Sequence, residues 1–341
     1  MKLFAYGVRG KALKWFRGYL TDRKQFVKMD GYCSSMVNVD VGLPQGSVLG
    51  PLMFLIAIND LPLVSNRFKT SLFADDSNFT FSGSNFNSLI HTVNAELEKI
   101  NQWTRANRLS INAEKTCMMI FTNRKIPDNY PAVLLNNCPV TVVHETKFLG
   151  VTLDYQLNFK SHISNISKKI SKSIGILNKL KSYLDTKMLI SLYYSLVFSF
   201  LIYGNVVWGA TYKTHLQPLS LLQKKVIRIV TKQNYLDHTN PLFYSTKILK
   251  IEDIHKFLLG QYTFKKREKY EIVPFRPHNH NTRNRNNEII PFKRLTLTQH
   301  NIDFTAPQNW SSLPDNLKMI AKFVSFKRQL KTYLIEKYNI E

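Results

Sequence analysis

Apolar residues recur along this chain in two rhythms. Between residues 85 and 107, Leu89, Val93, Leu97, Ile100 and Trp103 fall three or four positions apart, the period of a helix with one buried face. The same spacing runs through Ile163, Ile166, Ile170, Ile174 and Leu177, through "HLQPLSLLQKKVIRIVTKQ", and through a closing "SFKRQLKTYLIEKY". At the start, "MKLFAYGVRGKALKWFRGYL" sets Leu13, Phe16 and Leu20 on one side, with Lys14 and Arg17 elsewhere. It predicts a surface helix, and without an apolar core segment it is no secretory signal. Strand-like patterns mark the other elements. "KQFVKMDGYCSSMVNVDVGL" predicts a hairpin around Gly31-Tyr32, "SLFADDSNFTF" a second, and "HETKFLGVTLD" a third around Gly150. "LSINAEKTCMMIF" predicts a turn leading into a buried strand. After a loop rich in glycine, Ser47 or Gly50 can cap a helix whose early Pro51 is tolerated. That helix is apolar on most faces through Ile58, which predicts full burial, and it ends before Pro62. Helices interleaved with hairpins predict an α+β fold with an antiparallel sheet.

One segment imitates a membrane span. From Met188 to Tyr212 no residue is charged. The 3-4 spacing of Leu189, Leu192, Tyr193, Leu196, Val197, Phe200 and Leu201, against a serine face of Ser191, Ser195 and Ser199, predicts instead a helix buried in protein. Asp185 can cap its start, and Gly204-Asn205 can end it.

Charge narrows the partners. The 341 residues carry 47 Lys and Arg against 23 Asp and Glu, a net charge of +24. Such an excess points to a polyanion, nucleic acid first and an anionic membrane second. Between Tyr155 and Leu184 there is no acidic residue, and Lys168, Lys172 and Lys179 share the face opposite the isoleucines. This predicts a surface turned toward phosphates. Residues 265–294 are again basic, and "PHNHNTRNRNN" within them reads as a loop. Its His278 and His280 lack a third ligand at metal spacing. The three cysteines, Cys33, Cys117 and Cys138, are far apart and follow neither disulfide nor zinc spacing, which suits a reducing intracellular setting.

In this basic chain, "SLFADDSNFTF" places Asp75 and Asp76 side by side. At ~4 Å and an effective dielectric near 20, their repulsion is about 4 kcal/mol. Two readings are open. The "DDSN" segment is good turn chemistry, with solvent screening both charges. Alternatively, the pair holds a divalent metal through hard oxygen ligands.

Four blocks in order, "GLPQGSVLGPLMFLIAINDLP", "SLFADDSNFTF", "LSINAEKTCMMIF" and "KFLGVTLD", resemble the reverse transcriptase palm of non-LTR retrotransposons, especially jockey-like elements. "FLIYGNVVWG", "LLQKKVIRIVT" and "NTR…NWSSLP" are similar to the region that follows the polymerase there. The resemblance implies a partial palm at residues 1–154, a helical thumb at 155–235 and a basic C-terminal region with a terminal helix at 236–341. It implies RNA-directed DNA synthesis with two Mg²⁺ ions, Asp75 bridging them and Asp76 auxiliary. RNA template, DNA primer and deoxynucleoside triphosphates are the implied partners, without a membrane, in nucleus or cytoplasm. Gly42, Pro44, Gln45, Gly46 and Ser47 correspond to the loop under the incoming nucleotide and template base. A Walker loop is excluded there, because no Gly-Lys-Ser/Thr follows. Phe73 and Ala74 correspond to the step before the carboxylates, where a small residue leaves room for the primer terminus. Lys115 corresponds to a lysine near the leaving pyrophosphate, or is an ordinary lysine beside a strand. Phe148, Leu149 and Gly150 correspond to a primer grip, or form a simple turn.

One departure matters. The family's third metal-binding aspartate precedes the stretch like "YGVRGKALKWF", and Asp22, Asp30 and Asp40 do not lie in such an apolar strand. That carboxylate and the fingers are therefore expected to lie outside this sequence. The resemblance therefore implies an incomplete reverse transcriptase copy, inactive on its own, and a non-catalytic basic nucleic-acid-binding remnant is the alternative.

Overall fold

The computed structural model describes residues 2–339 apart from Val41, Gln45, Asp128 and residues 271–289. Gln45, and the loop with His278 and His280, thus lie outside the described residues. The chain divides into two compact units, residues 1–118 with 122–143, and residues 119–121 with 144–341.

The first unit opens with α1 (Lys2–Ala5) and α2 (Gly10–Leu20). The expected single N-terminal helix is interrupted at Gly7, whose φ is +91°. Leu13, Phe16 and Leu20 keep to a half-buried face of α2. Strands β1 (Lys24–Gln25) and β2 (Lys28–Met29) turn at Asp30-Gly31 and return as β3 (Tyr32–Cys33) and β4 (Val37–Asn38). Both turn residues have positive φ, as a two-residue type I′ hairpin requires. Helix α3 (Leu49–Ile58) is not fully buried as its composition predicts. Only Gly50, Met53 and Ile58 are buried, while Leu52 and Leu55 stay exposed. An all-round apolar helix is covered on every side only where neighbours reach every side, and among the described residues none reaches the outer face of α3.

A 3-10 turn (Leu61–Val64), hairpin strands β5 (Lys69–Phe73) and β6 (Asp76–Thr80), and helix α4 (Phe86–Ala106) build this unit's core. Asn85 caps α4, its side chain accepting the Ser88 N–H at 3.0 Å. Ile100 packs with Leu61 and Phe68, and Ile90 and Val93 with Val133. Buried Glu96 pairs with Lys99 at 2.8 Å, which holds its carboxyl below the usual range.

The expected buried strand after Lys115 is only β7 (Cys117–Met118), with Cys117 exposed. Strands β8 (Leu134–Leu135) and β9 (Cys138–Pro139) form a small hairpin, and β10 (Thr141–Val142) pairs with β7 in parallel. The described strands make separate two-stranded ladders, not one antiparallel sheet. Most are two residues long, too short to offer a third strand a register.

The second unit begins with the hairpin β11 (Glu145–Phe148) and β12 (Val151–Asp154). Helix α5 (Lys160–Leu180) then buries Ile163, Ile166, Ile170, Ile174 and Leu177, the face its spacing predicts. The uncharged segment is not one regular helix. It runs as α6 (Thr186–Tyr193), a π-helical turn (Tyr194–Phe198) and α7 (Ser199–Ile202). Leu189, Tyr193, Val197 and Leu201, all four buried, recur every fourth residue. That period exceeds the 3.6 of an α-helix, so a wider turn is needed to keep them in line. Asp185 caps the start, accepting the Met188 N–H at 2.7 Å. None of the described helices is long and apolar enough to cross a membrane.

After α8 (Asn205–Trp208) comes α9 (Lys213–Val230), which packs along α5. The unit closes with α10 (Asn240–Thr246), α11 (Ile251–Tyr270), α12 (Thr296–Gln299), α13 (Ile302–Ser311), α14 (Asp315–Lys318) and α15 (Phe323–Glu336). Helix α11 is central, packed by α13 and α15. Gln223 joins this core through its polar atoms, donating to Tyr193 and Leu249 and accepting from the Ile251 N–H, each at 2.9 Å.

Candidate active site and nucleic-acid interface

The β5–β6 register explains how two carboxylates come to solvent on a core hairpin. Thr70 faces Phe79 and Leu72 faces Ser77, while Lys69, Ser71 and Phe73 face Thr80, Asn78 and Asp76. Cross-strand partners share a face. Leu72 and Phe79 pack beside Phe68, whose ring meets Phe79 edge-on at 5.3 Å. Slipping the register by one residue would turn these side chains to water, so the apolar face pins Asp76 outward. Ala74 and Asp75 form the two-residue turn, Ala74 at a φ of +50°. Both carboxylates are exposed, and neither has a hydrogen bond or ion pair among the described residues. No group of three or more His, Cys, Asp or Glu assembles around them or elsewhere among the described residues.

The loop before α3 is held by its own atoms. Ser47 Oγ donates to the Pro44 carbonyl at 3.0 Å and accepts from the Gly50 N–H at 3.0 Å and the Tyr19 hydroxyl at 2.7 Å. A hydroxyl has one donor and two acceptor sites, so Ser47 is fully used in shaping the loop and capping α3. Gly42 and Gly46 take φ of +82° and +78°, and the Gly42 carbonyl accepts from Arg23 at 2.7 Å. Lys115 is exposed in the turn before β7, its N–H donating to Asn112 Oδ1 at 3.1 Å. Thus Phe73, Ala74, Asp75 and Asp76 share one hairpin, and Gly42, Pro44, Gly46 and Ser47 one loop. Among the described residues no hydrogen bond joins hairpin, loop and Lys115.

In the second unit, Leu149 and Gly150 turn the β11–β12 hairpin with φ of +45° and +82°. Tyr203 donates its hydroxyl to the Leu149 carbonyl at 2.6 Å, with its ring against Gly150. Phe148, last in β11, is half-buried. Lys168, Lys172 and Lys179 are exposed on α5, opposite its buried isoleucines.

Several residues hold these pieces, and of them sequence reasoning singled out only Gly204 and Asn205, as a helix end. Asp154 accepts the N–H groups of Gln156 and Asn158 at 3.1 Å and of Phe159 at 2.7 Å, fixing the turn into α5. His162 accepts the Thr152 N–H at 3.2 Å and meets Trp208 edge-on, and burial pushes its pKa down. In "YGNVVWG", Gly204 takes a left-handed φ of +61°, Trp208 donates to the Tyr203 carbonyl at 2.9 Å, and Asn205 contacts His255 Nδ1 at 3.1 Å. This stretch clasps the hairpin to the helices. The one available signal was the clustering of Tyr, Gly, Asn and Trp in an otherwise aliphatic run.

Residues 1–153 match the family described as reverse transcriptase (RNA-dependent DNA polymerase). The chain is 28% identical over 247 residues to the RNA-directed DNA polymerase from mobile element jockey of Drosophila melanogaster, covering 70% of this chain and 27% of the relative. It is 30% identical over 249 residues to the jockey polymerase of Drosophila funebris, with the same coverage. Against the probable RNA-directed DNA polymerase from transposon X-element of Drosophila melanogaster it is 28% identical over 246 residues, again 70% of the chain and 27% of the relative. The chain thus spans about a quarter of the length of these relatives, at 27%. Residues 1–153 thus match the reverse transcriptase family, and 70% of the chain is similar to RNA-directed DNA polymerases of mobile elements such as jockey and X-element.

Proposed function

We propose that residues 1–154 act as part of a polymerase palm, 155–235 as a thumb and 236–341 as a basic C-terminal region, serving RNA-directed DNA synthesis. Asp75 and Asp76 would hold Mg²⁺, Asp75 as the bridging ligand. The donor set fits a hard cation, because both groups are carboxylates and neither is engaged by a described side chain. When bound, the metal neutralises the triphosphate and polarises the reacting oxygens. Around it, Ala74 leaves room for a primer terminus, and Gly42, Pro44 and Gly46, with Gln45 between them, offer close backbone approach to nucleotide and template base. Lys115 supplies a proton near the leaving pyrophosphate. Phe148, Leu149 and Gly150 steady the primer, and Lys168, Lys172 and Lys179 follow a phosphate backbone. RNA template, DNA primer and deoxynucleoside triphosphates are the proposed partners, and an intracellular site, nucleus or cytoplasm, is the proposed setting.

The observation that carries this reading is the register that turns the Asp76 face away from the apolar core. A second reading, a non-catalytic nucleic-acid-binding remnant, is favoured by the absence of a third assembled ligand among the described residues. Thermal unfolding distinguishes the metal site from a plain turn. Asp75→Asn alone should leave the free chain unaffected or slightly more stable. Mg²⁺ plus a deoxynucleoside triphosphate should stabilise the natural chain by linkage and the variant less. Equal shifts would restore the plain turn.

A further inference from the structure

The lysine stripe of α5 is not the only basic feature of the second unit. A cleft of about 340 Å³ opens where the C-terminal half of α5 meets α9, lined among others by Asn178, Lys181, Lys225, Arg228, Gln233 and Tyr235. A second hollow of about 630 Å³ lies beside it, and Lys225, Arg228 and Tyr235 line both. Tyr235 therefore stands between two hollows with two cations next to it. It is 75% exposed, in a chain that buries Tyr193 and Tyr338 almost completely.

The loop that presents this ring is built, not loose. Gln233 N–H donates to the Arg228 carbonyl at 2.9 Å, and Asn234 N–H to Asp237 Oδ2 at 2.8 Å. Arg228 Nε donates to the Asp237 carbonyl at 2.8 Å, and its guanidinium carbon lies 5.9 Å from the Tyr235 ring centre. One oxygen of the Asp237 carboxylate thus accepts from the backbone, and Arg228 takes the carbonyl of that residue. Among the described residues no carboxylate forms an ion pair with Lys181, Lys225 or Arg228. Between residues 155 and 236, Asp185 is the sole acid.

We infer that this cleft is a site for single-stranded nucleic acid, in which an unpaired base stacks on Tyr235 and the flanking phosphates meet Lys181, Lys225 and Arg228. The inference rests on the nucleic-acid-binding reading above and adds strand selectivity to it. A duplex offers its backbone to cations but keeps its bases stacked, so it gains from the lysine stripe and little from an exposed ring between two hollows. A single strand gains from both, because every base has a face to stack. The charge disfavours cationic partners.

The test uses the full chain and two probes of equal length, a labelled oligo(dT) strand and an RNA–DNA duplex. Tyr235→Ala should weaken oligo(dT) binding roughly five- to 150-fold, the range for loss of one base–aromatic stack. Tyr235→Trp should restore it, with indole fluorescence quenched as the strand binds, and duplex affinity should not change in either variant. Equal oligo(dT) affinity for Tyr235→Ala and the natural chain would overturn the site, as would equal weakening toward both probes. The triple change Lys168→Ala, Lys172→Ala and Lys179→Ala separates the two claims. If it weakens duplex binding while Tyr235→Ala does nothing, the cleft fails and the stripe stands. If the natural chain binds neither probe, both fail.

Discussion

Gly209 ends α8 with ordinary helical angles, so space alone demands glycine there. A Cβ would sit 2.5 Å from both Asn205 Oδ1 and His255 Nδ1. Gly209→Ala should therefore destabilise the second unit by about 3 kcal/mol, as overpacking into fixed polar groups does. Gly175, on the exposed side of α5 with nothing near its missing Cβ, is the counterpart. Gly175→Ala should stabilise by about 0.5–1 kcal/mol, and denaturant unfolding of both variants checks the pair. His255 itself makes stability depend on pH. Burial lowers its pKa to about 4 from 6.5, so between those values the unfolded chain takes up a proton that the folded chain refuses. The stability is fully present above pH 6.5 and is lost as pH falls toward 4, by up to roughly 3 kcal/mol. Between about pH 7 and about pH 5, the natural chain should lose more stability than His255→Gln, in which that proton is not taken up. A parallel decline in both would contradict the assignment. None of this was legible locally, because the partner of His255 lies 50 positions away in sequence.

At the scale of elements, legibility followed the length of the pattern. Helices α4, α5, α9 and α15 appear where their periods place them, because a long apolar stripe admits one phase. The three hairpins also appear, two of them on residue pairs with positive φ. The strand after Lys115 fails, since "TCMMIF" can be covered in several ways and only two of its residues pair. The π turn was hidden because a four-residue period reads as a helix until its drift is counted. Of the candidate site, the Asp75-Asp76 hairpin was legible as geometry, while Asp154 was not. Its three N–H partners follow it without regular spacing. The lysine stripe of α5 yields the prediction proper to this scale. Replacing Lys168, Lys172 and Lys179 by Ala should weaken binding to all sequences alike and flatten the plot of log affinity against log salt by roughly two to three units, at ~0.7–0.9 per phosphate contact. An unchanged slope would mean that these lysines face only solvent.

Across the whole molecule, the chain carries a net charge of +24 and matches the family over residues 1–153. In the proposed account the first unit carries the carboxylate pair and the second supplies cations for the strand. The pair alone is an incomplete shell for two metal ions, because in-line phosphoryl transfer needs fixed anions for both. Positioning groups for the triphosphate contribute several kcal/mol more. The central claim is that Asp75 is a metal ligand of a polymerase and not a residue of a plain turn. Primer extension on an RNA template with Mg²⁺ tests it most directly, run on this chain and on a chimaera that adds the polymerase segment preceding the matched region in a jockey element. The account predicts template–primer binding by this chain, extension by the chimaera, and loss of that extension with Asp75→Ala. Extension by the chimaera that survives Asp75→Ala would contradict it.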